Sequence, residues 1–179
     1  MDLRLAEIQA KMPRSSCSQA PGGATGSDGR AEWMGLLARA SEAELEAAWQ
    51  ALSASDQSAM AYDVLRAPQQ GLAMVRGRAG GDGQAFNLGE MTVTRCSVGL
   101  ADGTIGHGYV AGRLARHAEL AALFDALLQT DTWADRVMAC VIAPLRASRA
   151  MARARAAAKT AATKVEFFTL VREQSADSE

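Results

Sequence analysis

Between Arg76 and Arg95 the chain reads Arg-Gly-Arg-Ala-Gly-Gly-Asp-Gly-Gln-Ala-Phe-Asn-Leu-Gly-Glu-Met-Thr-Val-Thr-Arg. Glycines without a Cβ let backbone N–H groups come close to an anion, and guanidinium groups supply the opposite charge. The chemistry this spacing suggests is anion binding at a turn, with Arg76, Arg78, Gly80, Gly81, Gly83 and Arg95 as its residues. Arg76 and Arg78 are two apart, so a strand places them on one face. There they repel unless an anion, a carboxylate or solvent compensates. The loop is not a Walker A loop, because no Gly-Lys-Ser/Thr follows it, nor a dinucleotide fingerprint, because no helix starts after it. A plain flexible connection between two strands accounts for the glycines equally well.

Three further groups of residues carry weight. Asp102-Gly103 is a two-residue hairpin signal between Met91–Leu100 and Ile105–Ala111. With that loop, Leu100 faces Ile105 and Val98 faces His107, and Gly99, Gly106 and Gly108 leave one sheet face nearly bare. Something must approach the backbone there: a packed helix of the same chain, or a partner or ligand. Arg113 and His117 lie one helical turn apart and lead into Leu120, Phe124 and Leu127, a stripe that starts cationic and turns apolar. Arg146, Arg149 and Arg153 form a third stripe, read as a solvated face. The only histidines are His107 and His117, and no carboxylate stands at ligand spacing on the helix of His117, so no metal site is expected. Glu119 points elsewhere, towards Arg116. No Gly-x-Ser-x-Gly and no Cys–His spacing is found, so no catalytic residue is assigned.

The elements that must position these residues follow from periodicity. Trp33, Leu36 and Leu37 recur at helical spacing from Arg30 to about Ala40. Ser41 and Glu44 form a capping box, and Leu45, Ala48, Trp49 and Leu52 line the next helix, giving an αα-hairpin. Strands are expected at Tyr62–Arg66, ending before Pro68, and at Leu72–Arg78, followed by the two strands of the Asp102-Gly103 hairpin. A helix runs from Arg113 to about Gln129, Trp133–Ala143 is apolar and ambiguous, and Pro144 opens an alanine-rich helix to Ala162. Val165–Val171 reads as a strand or a last helical turn. The expected fold is α+β: an antiparallel four-stranded sheet of hairpins, an N-terminal αα-hairpin and C-terminal helices packed on it. Residues 1–29 are expected to be a disordered extension, 30–172 a single domain and 173–179 an acidic tail.

Bulk properties exclude several classes. The 179 residues suit one domain, and 49% hydrophobic with 5% aromatic content means that alanine and leucine carry the core. A net charge of −1 without a basic patch argues against nucleic acid. Three cysteines, Cys17, Cys96 and Cys140, with no Cys-x-x-Cys spacing, argue against a disulfide framework and fit a reducing cytoplasm. No run is long enough to span a membrane, and Glu7, Gln9 and Lys11 interrupt any signal-peptide core.

From Arg30 to Arg172 the sequence resembles the PhnG subunit family of the bacterial carbon–phosphorus lyase system. The resemblance rests on Trp33-Met34, Val64-Leu65-Arg66-Ala67-Pro68, Gly71-Leu72, Gly80-Gly81-x-Gly83, Phe86 and Gly89-Glu90-Met91-Thr92-Val93-Thr94-Arg95. It continues through Asp102-Gly103-Thr104, Gly106, Gly112-Arg113, His117-Ala118-Glu119, Ile142-Ala143-Pro144-Leu145 and Phe167-Phe168-Thr169-x-Val171-Arg172. Leu114 departs from the pattern, which has an acidic residue there, and Asp82 stands where a small hydroxyl residue is common. The resemblance implies an accessory subunit in phosphonate breakdown. Its partners would be the H, I, J and L proteins and also the K protein, with the I subunit in direct contact. The complex would join methylphosphonate to ATP at the ribose C1, releasing adenine and forming α-D-ribose 1-methylphosphonate 5-triphosphate. ATP and methylphosphonate would be used by the complex, with no cofactor held by this chain alone, and the isolated chain could self-associate. Gly106, Gly108, Arg113 and His117 join the loop residues as anion-binding or subunit-interface candidates. The alternative from a different class is a stand-alone phosphate- or nucleotide-binding protein using the Gly80–Gly83 loop and its arginines.

Overall fold

The computed structural model describes residues 27–56, 60–80 and 82–164. Most of the expected N-terminal extension, Gly81, Val165–Val171 and the acidic tail lie outside them. Contacts divide the chain into one unit ending at Arg146 and a second beginning at Ala147. The first unit has the order α1 (Ser27–Leu37), α2 (Glu42–Asp56), β1 (Tyr62–Arg78), β2 (Ala85–Leu100), β3 (Ile105–Ala111), α3 (Ala115–Leu127) and α4 (Ala134–Val137), with a π-helical turn at Met138–Ile142. Helix α5 (Ala143–Ala161) starts there and supplies the described helix of the second unit.

The αα-hairpin forms as its capping residues dictate. The Ser41 N–H donates to Glu44 Oε2 at 2.8 Å, and the Glu44 N–H donates to Ser41 Oγ at 3.2 Å, so two backbone donors at the start of α2 are satisfied reciprocally. Trp33, Leu36, Leu37, Leu45 and Leu52 are buried, as the helical period requires.

Among the described residues the sheet has three antiparallel strands in the order β1-β2-β3, not the four expected. The segments on either side of Pro68 belong to one 17-residue strand. Register shifts between Val64 and Arg66 and between Arg66 and Gln69 carry the ladder past the proline. Proline cannot donate to a ladder, but β1 is an edge strand with one unpaired side, and irregular edges tolerate it. Strand β2 also begins earlier than Met91, at Ala85.

The β2–β3 hairpin corrects the expected register. Its loop is Ala101-Asp102-Gly103, closed by Leu100 N–H to Thr104 O at 2.9 Å and Gly103 N–H to Leu100 O at 3.0 Å. Gly103 has φ +87°, the left-handed position of a three-residue loop. The Thr104 N–H donates to Asp102 Oδ1 at 2.8 Å and holds that carboxyl below its usual pKa. One extra loop residue shifts every partner, so His107 faces Ser97, Gly106 faces Val98 and Gly108 faces Cys96. A one-residue slip exchanges the two faces of a strand. Gly106 and Gly108 therefore join Cys96, Val98 and Val110 on the buried face, whereas Ile105, His107 and Tyr109 point away from it.

Helix α3 lies directly on those glycines. A Cβ at Gly106 would stand 2.0 Å from Ala122 O, and one at Gly108 would stand 1.9 Å from Ala118 O. The close approach is thus made by a helix of the same chain, and the bare face is not available to a partner. Ala118, Leu120, Ala122, Leu123, Phe124, Ala126 and Leu127 are wholly buried around this contact. Helix α3 starts at Ala115, two residues later than expected. Leu114 occupies its N-cap without a side-chain bond, at the position where the resemblance called for an acidic residue. The ambiguous Trp133–Ala143 segment is helical but widened. Pro144 has no N–H for the Cys140 carbonyl, and in a regular α-helix its ring would clash with that carbonyl, which accounts for the preceding turn opening into the π form.

Gly108→Ala is expected to cost about 3 kcal/mol, because the methyl meets helix backbone and not a movable side chain. Urea unfolding checks this; an unchanged midpoint would mean that α3 does not rest on Gly108.

Candidate functional site

The sequence-derived candidates do not converge on one site. Arg76 and Arg78 sit near the far end of β1, opposite Asn87 and Ala85. Arg95 lies in β2 opposite Gln69 on one side and Tyr109 on the other. Alternation along β2 puts Thr92 on the face of Thr94, Cys96 and Val98. Leu72 is paired with Thr92, so Leu72, Met74, Arg76 and Arg78 share that face. Arg95 points to the opposite face. The seven residues from Gln69 to Arg76 add about 20 Å of strand between the two positions.

The glycine loop uses its polar groups internally. Gly80 takes φ +63°, and the Gly83 N–H donates to Ala79 O at 3.0 Å. Arg78 Nη1 donates to Gly83 O at 3.1 Å, so this guanidinium is turned to a loop carbonyl. The second loop arginine, Arg76, has no bonding partner among the described residues.

His117 is structural. It is buried on α3, and its Nε2 lies 2.9 Å from Leu37 O, tying α3 to the last turn of α1. A carbonyl accepts, so Nε2 donates to it, and the buried Nδ1 has no partner among the described residues. Arg113 is exposed in the turn after Gly112, whose φ is +89°. The cationic start of the stripe is therefore separated from His117 by burial. Glu119 does meet Arg116, with Arg116 Nη1 at 3.3 Å from its Oε1. The same oxygen accepts from Tyr62 Oη at 2.6 Å, and Arg116 Nε bonds Glu46 Oε2 at 3.0 Å. This cluster joins β1, α2 and α3. Burial, and then the bond to Glu119, raises the Tyr62 pKa; burial likewise raises that of the Cys96 thiol beneath the sheet.

Two features were not legible in the sequence. The first is Asp125, fully buried, whose Oδ1 accepts from Arg30 Nε at 3.2 Å and Trp33 Nε1 at 3.0 Å. Its Oδ2 accepts from Arg30 Nη2 at 2.8 Å, the His107 N–H at 2.9 Å and Gln129 Nε2 at 3.4 Å. One carboxylate thereby holds α1, β3 and α3 together. Its only sequence signal is a charge within the apolar run Leu123-Phe124-Asp125-Ala126-Leu127. The second is Ser97, whose Oγ lies 3.0 Å from His107 Nδ1 on the open sheet face. Hydroxyl and imidazole at this distance resemble a nucleophile and its base. No described residue holds the other imidazole nitrogen, and no group of converging donors surrounds the pair, so it lacks the remaining parts of a catalytic centre. Among the described residues no three His, Cys, Asp or Glu side chains form a metal-binding group. Cys96 is a free, buried thiol. No described helix is long and apolar enough to cross a membrane.

The described residues form a well-tied core with exposed strands, and bring no reactive groups together. Residues 28–173 match the family model "Phosphonate metabolism protein PhnG". A similar protein from Rhizobium meliloti (strain 1021), named alpha-D-ribose 1-methylphosphonate 5-triphosphate synthase subunit PhnG, is 46% identical over 144 residues, which cover 80% of this chain and 88% of the relative. The chain belongs to the PhnG family.

Two outcomes follow from this geometry. Asp125→Ala leaves the Trp33 and His107 N–H groups unpaired and is expected to cost about 3 kcal/mol, with Arg30 partly relieved by solvent. Tyr62 and Cys96 keep their protons to higher pH in the folded state than unfolded. Their contribution is complete below the ordinary values of 10.0 and 9.0 and is lost as pH rises through the folded pKa values. Unfolding free energy is thus expected to fall from about pH 9 upward, and Tyr62→Phe with Cys96→Ala should flatten that decline in denaturant titrations at stepped pH.

Proposed function

We propose that this chain is an accessory, non-catalytic subunit of the carbon–phosphorus lyase complex in organic phosphonate catabolism. In that role it is required when methylphosphonate displaces adenine at the ribose C1 of ATP to form α-D-ribose 1-methylphosphonate 5-triphosphate. The observation that carries this reading is the 46% identity, across most of both chains, to a protein named as that synthase's PhnG subunit. The described residues form a well-tied scaffold with exposed strands. The H, I, J, L and K proteins are the partners on this reading, with the I subunit in direct contact and the complex in the cytoplasm. ATP and methylphosphonate are then substrates of the complex, and this chain holds no cofactor of its own. The alternative of a stand-alone phosphate- or nucleotide-binding protein needs Arg76, Arg78 and Arg95 to act together. Their placement on opposite faces speaks against it.

Co-expression with the H, I, J and L proteins, followed by size-exclusion chromatography with light scattering and an adenine-release assay, tests the reading. Co-elution, and adenine release that depends on this chain, is the expected result. A chain that elutes alone and leaves adenine release unchanged would overturn it. Calorimetric heat on adding ATP or pyrophosphate to the isolated chain, lost in Arg78→Ala, would restore the alternative.

A further inference from the structure

Strand β3 pairs with β2 only from Gly99 back to Val93. Before Val93, β2 is paired with β1 alone, and the two strands continue to Arg78 and Ala85 as a two-stranded ribbon. From Leu72 to Arg78 the ribbon runs for about 20 Å past the three-stranded part of the sheet. Two-stranded ribbons are marginal in water unless a face is covered. This one places large apolar side chains on both faces and leaves them exposed. Phe86 is opposite Gly77, and Leu88, the extra residue of the Val75–Arg76 register shift, lies over Gly77 on the same face. Met91, opposite Ala73, completes that face with Val75, and no charged residue falls on it. Phe86, Leu88 and Met91 are 46%, 66% and 40% exposed. The other face carries Leu72 and Met74, at 67% and 52%, with Glu90 opposite Met74, and then Arg76 and Arg78.

We propose that this ribbon is the docking arm of the chain: it inserts into a groove of another protein subunit, with its Phe86–Leu88–Met91 face against an apolar wall and Arg76 and Arg78, on the opposite face, against carboxylates of the other wall. The charge pattern selects this occupant. Arg76 has no ion partner among the described residues, and Arg78 bonds only a loop carbonyl, so both are free to take an acidic rim. A bilayer is unsuited. Among the described residues both ribbon edges leave ladder N–H and C=O groups unpaired, which hydrocarbon cannot satisfy and a protein groove can. The proposal rests on the subunit reading, and its test separates the two.

Full-length chain is co-expressed with the other synthase subunits as wild type, as Phe86→Ser/Leu88→Ser and as Arg76→Glu/Arg78→Glu. All substituted side chains are exposed, so circular dichroism melts of the isolated variants should match wild type. The expected result is that wild type co-purifies, whereas each pair of substitutions weakens retention about tenfold or more. Should the serine pair fail to fold, the charge reversal still decides. Wild-type retention by both folded variants would overturn the arm and leave the subunit reading standing. Failure of the wild type to co-purify would overturn both. A chain that is dimeric alone and made monomeric by the serine pair, or one that floats with phosphatidylserine vesicles through the same residues, would also overturn the proposal.

Discussion

Helix α3 and strand β3 touch through backbone, and most of the unit is arranged around that contact. Side chains normally hold a helix and a sheet about one side-chain layer apart. Here Gly106 and Gly108 remove that layer, and the carbonyls of Ala122 and Ala118 fill the place where a Cβ would stand. Close approach brings Asp125 near enough to accept from the His107 N–H, and the same carboxylate then reaches back to Arg30 and Trp33 of α1. A buried carboxylate without such donors would be costly; with them it fixes where α1 must lie. His117 adds a second tie between the same two helices through Leu37 O. Alanine makes the packing feasible, since Ala118, Ala122 and Ala126 present no bulk to the sheet.

With its helices gathered on one face of β2 and β3, the sheet is well supported only where β3 exists. Beyond Val93 the β1–β2 pair has neither a third strand nor α3 beneath it. The residues there follow the alternation of a buried sheet, with Leu72, Met74, Phe86 and Leu88 all large and apolar, yet they remain open. A surface of that kind is compatible with solubility when something covers it, and membership of a family that includes a synthase subunit supplies a reason for a cover to exist. The loop at the ribbon tip serves the turn first: its glycines supply positive φ at Gly80 and room at Gly83, where a Cβ would stand 2.8 Å from Ala79 O.

The polar groups of the core follow the same division of labour. Glu46, Tyr62, Arg116 and Glu119 satisfy one another between α2, β1 and α3. Ser97 and His107, the one hydroxyl–imidazole pair among the described residues, lie on the open face without groups to orient them. Glu46, Tyr62, Arg116 and Glu119 thus tie three elements together, whereas the Ser97–His107 pair joins only neighbouring strands.

Local signals decided much of this structure before any packing. The Ser41–Glu44 box starts α2 because a hydroxyl and a carboxylate three residues apart satisfy each other's backbone donors. Asp102-Gly103 marks the turn because glycine reaches φ +87° without strain, and the apolar stripe from Leu120 to Leu127 names the buried face of α3. The bare glycines likewise announced a close approach. What covers them depended on the face they occupy, and that turned on one loop residue. Ala101 joins the loop, so β3 shifts by one place, putting Gly106 and Gly108 under α3 and His107 beside Ser97. Pro68 reads locally as a strand end, and only the edge position of β1 makes it tolerable within a continuous strand. Three arginines and a glycine loop suggested one anion site, but facing and distance within a sheet are set by register and strand length. Asp125 stands as a lone charge in an apolar helical run. Its role required a tryptophan, an arginine and a β-strand amide from distant parts of the chain to be folded against it.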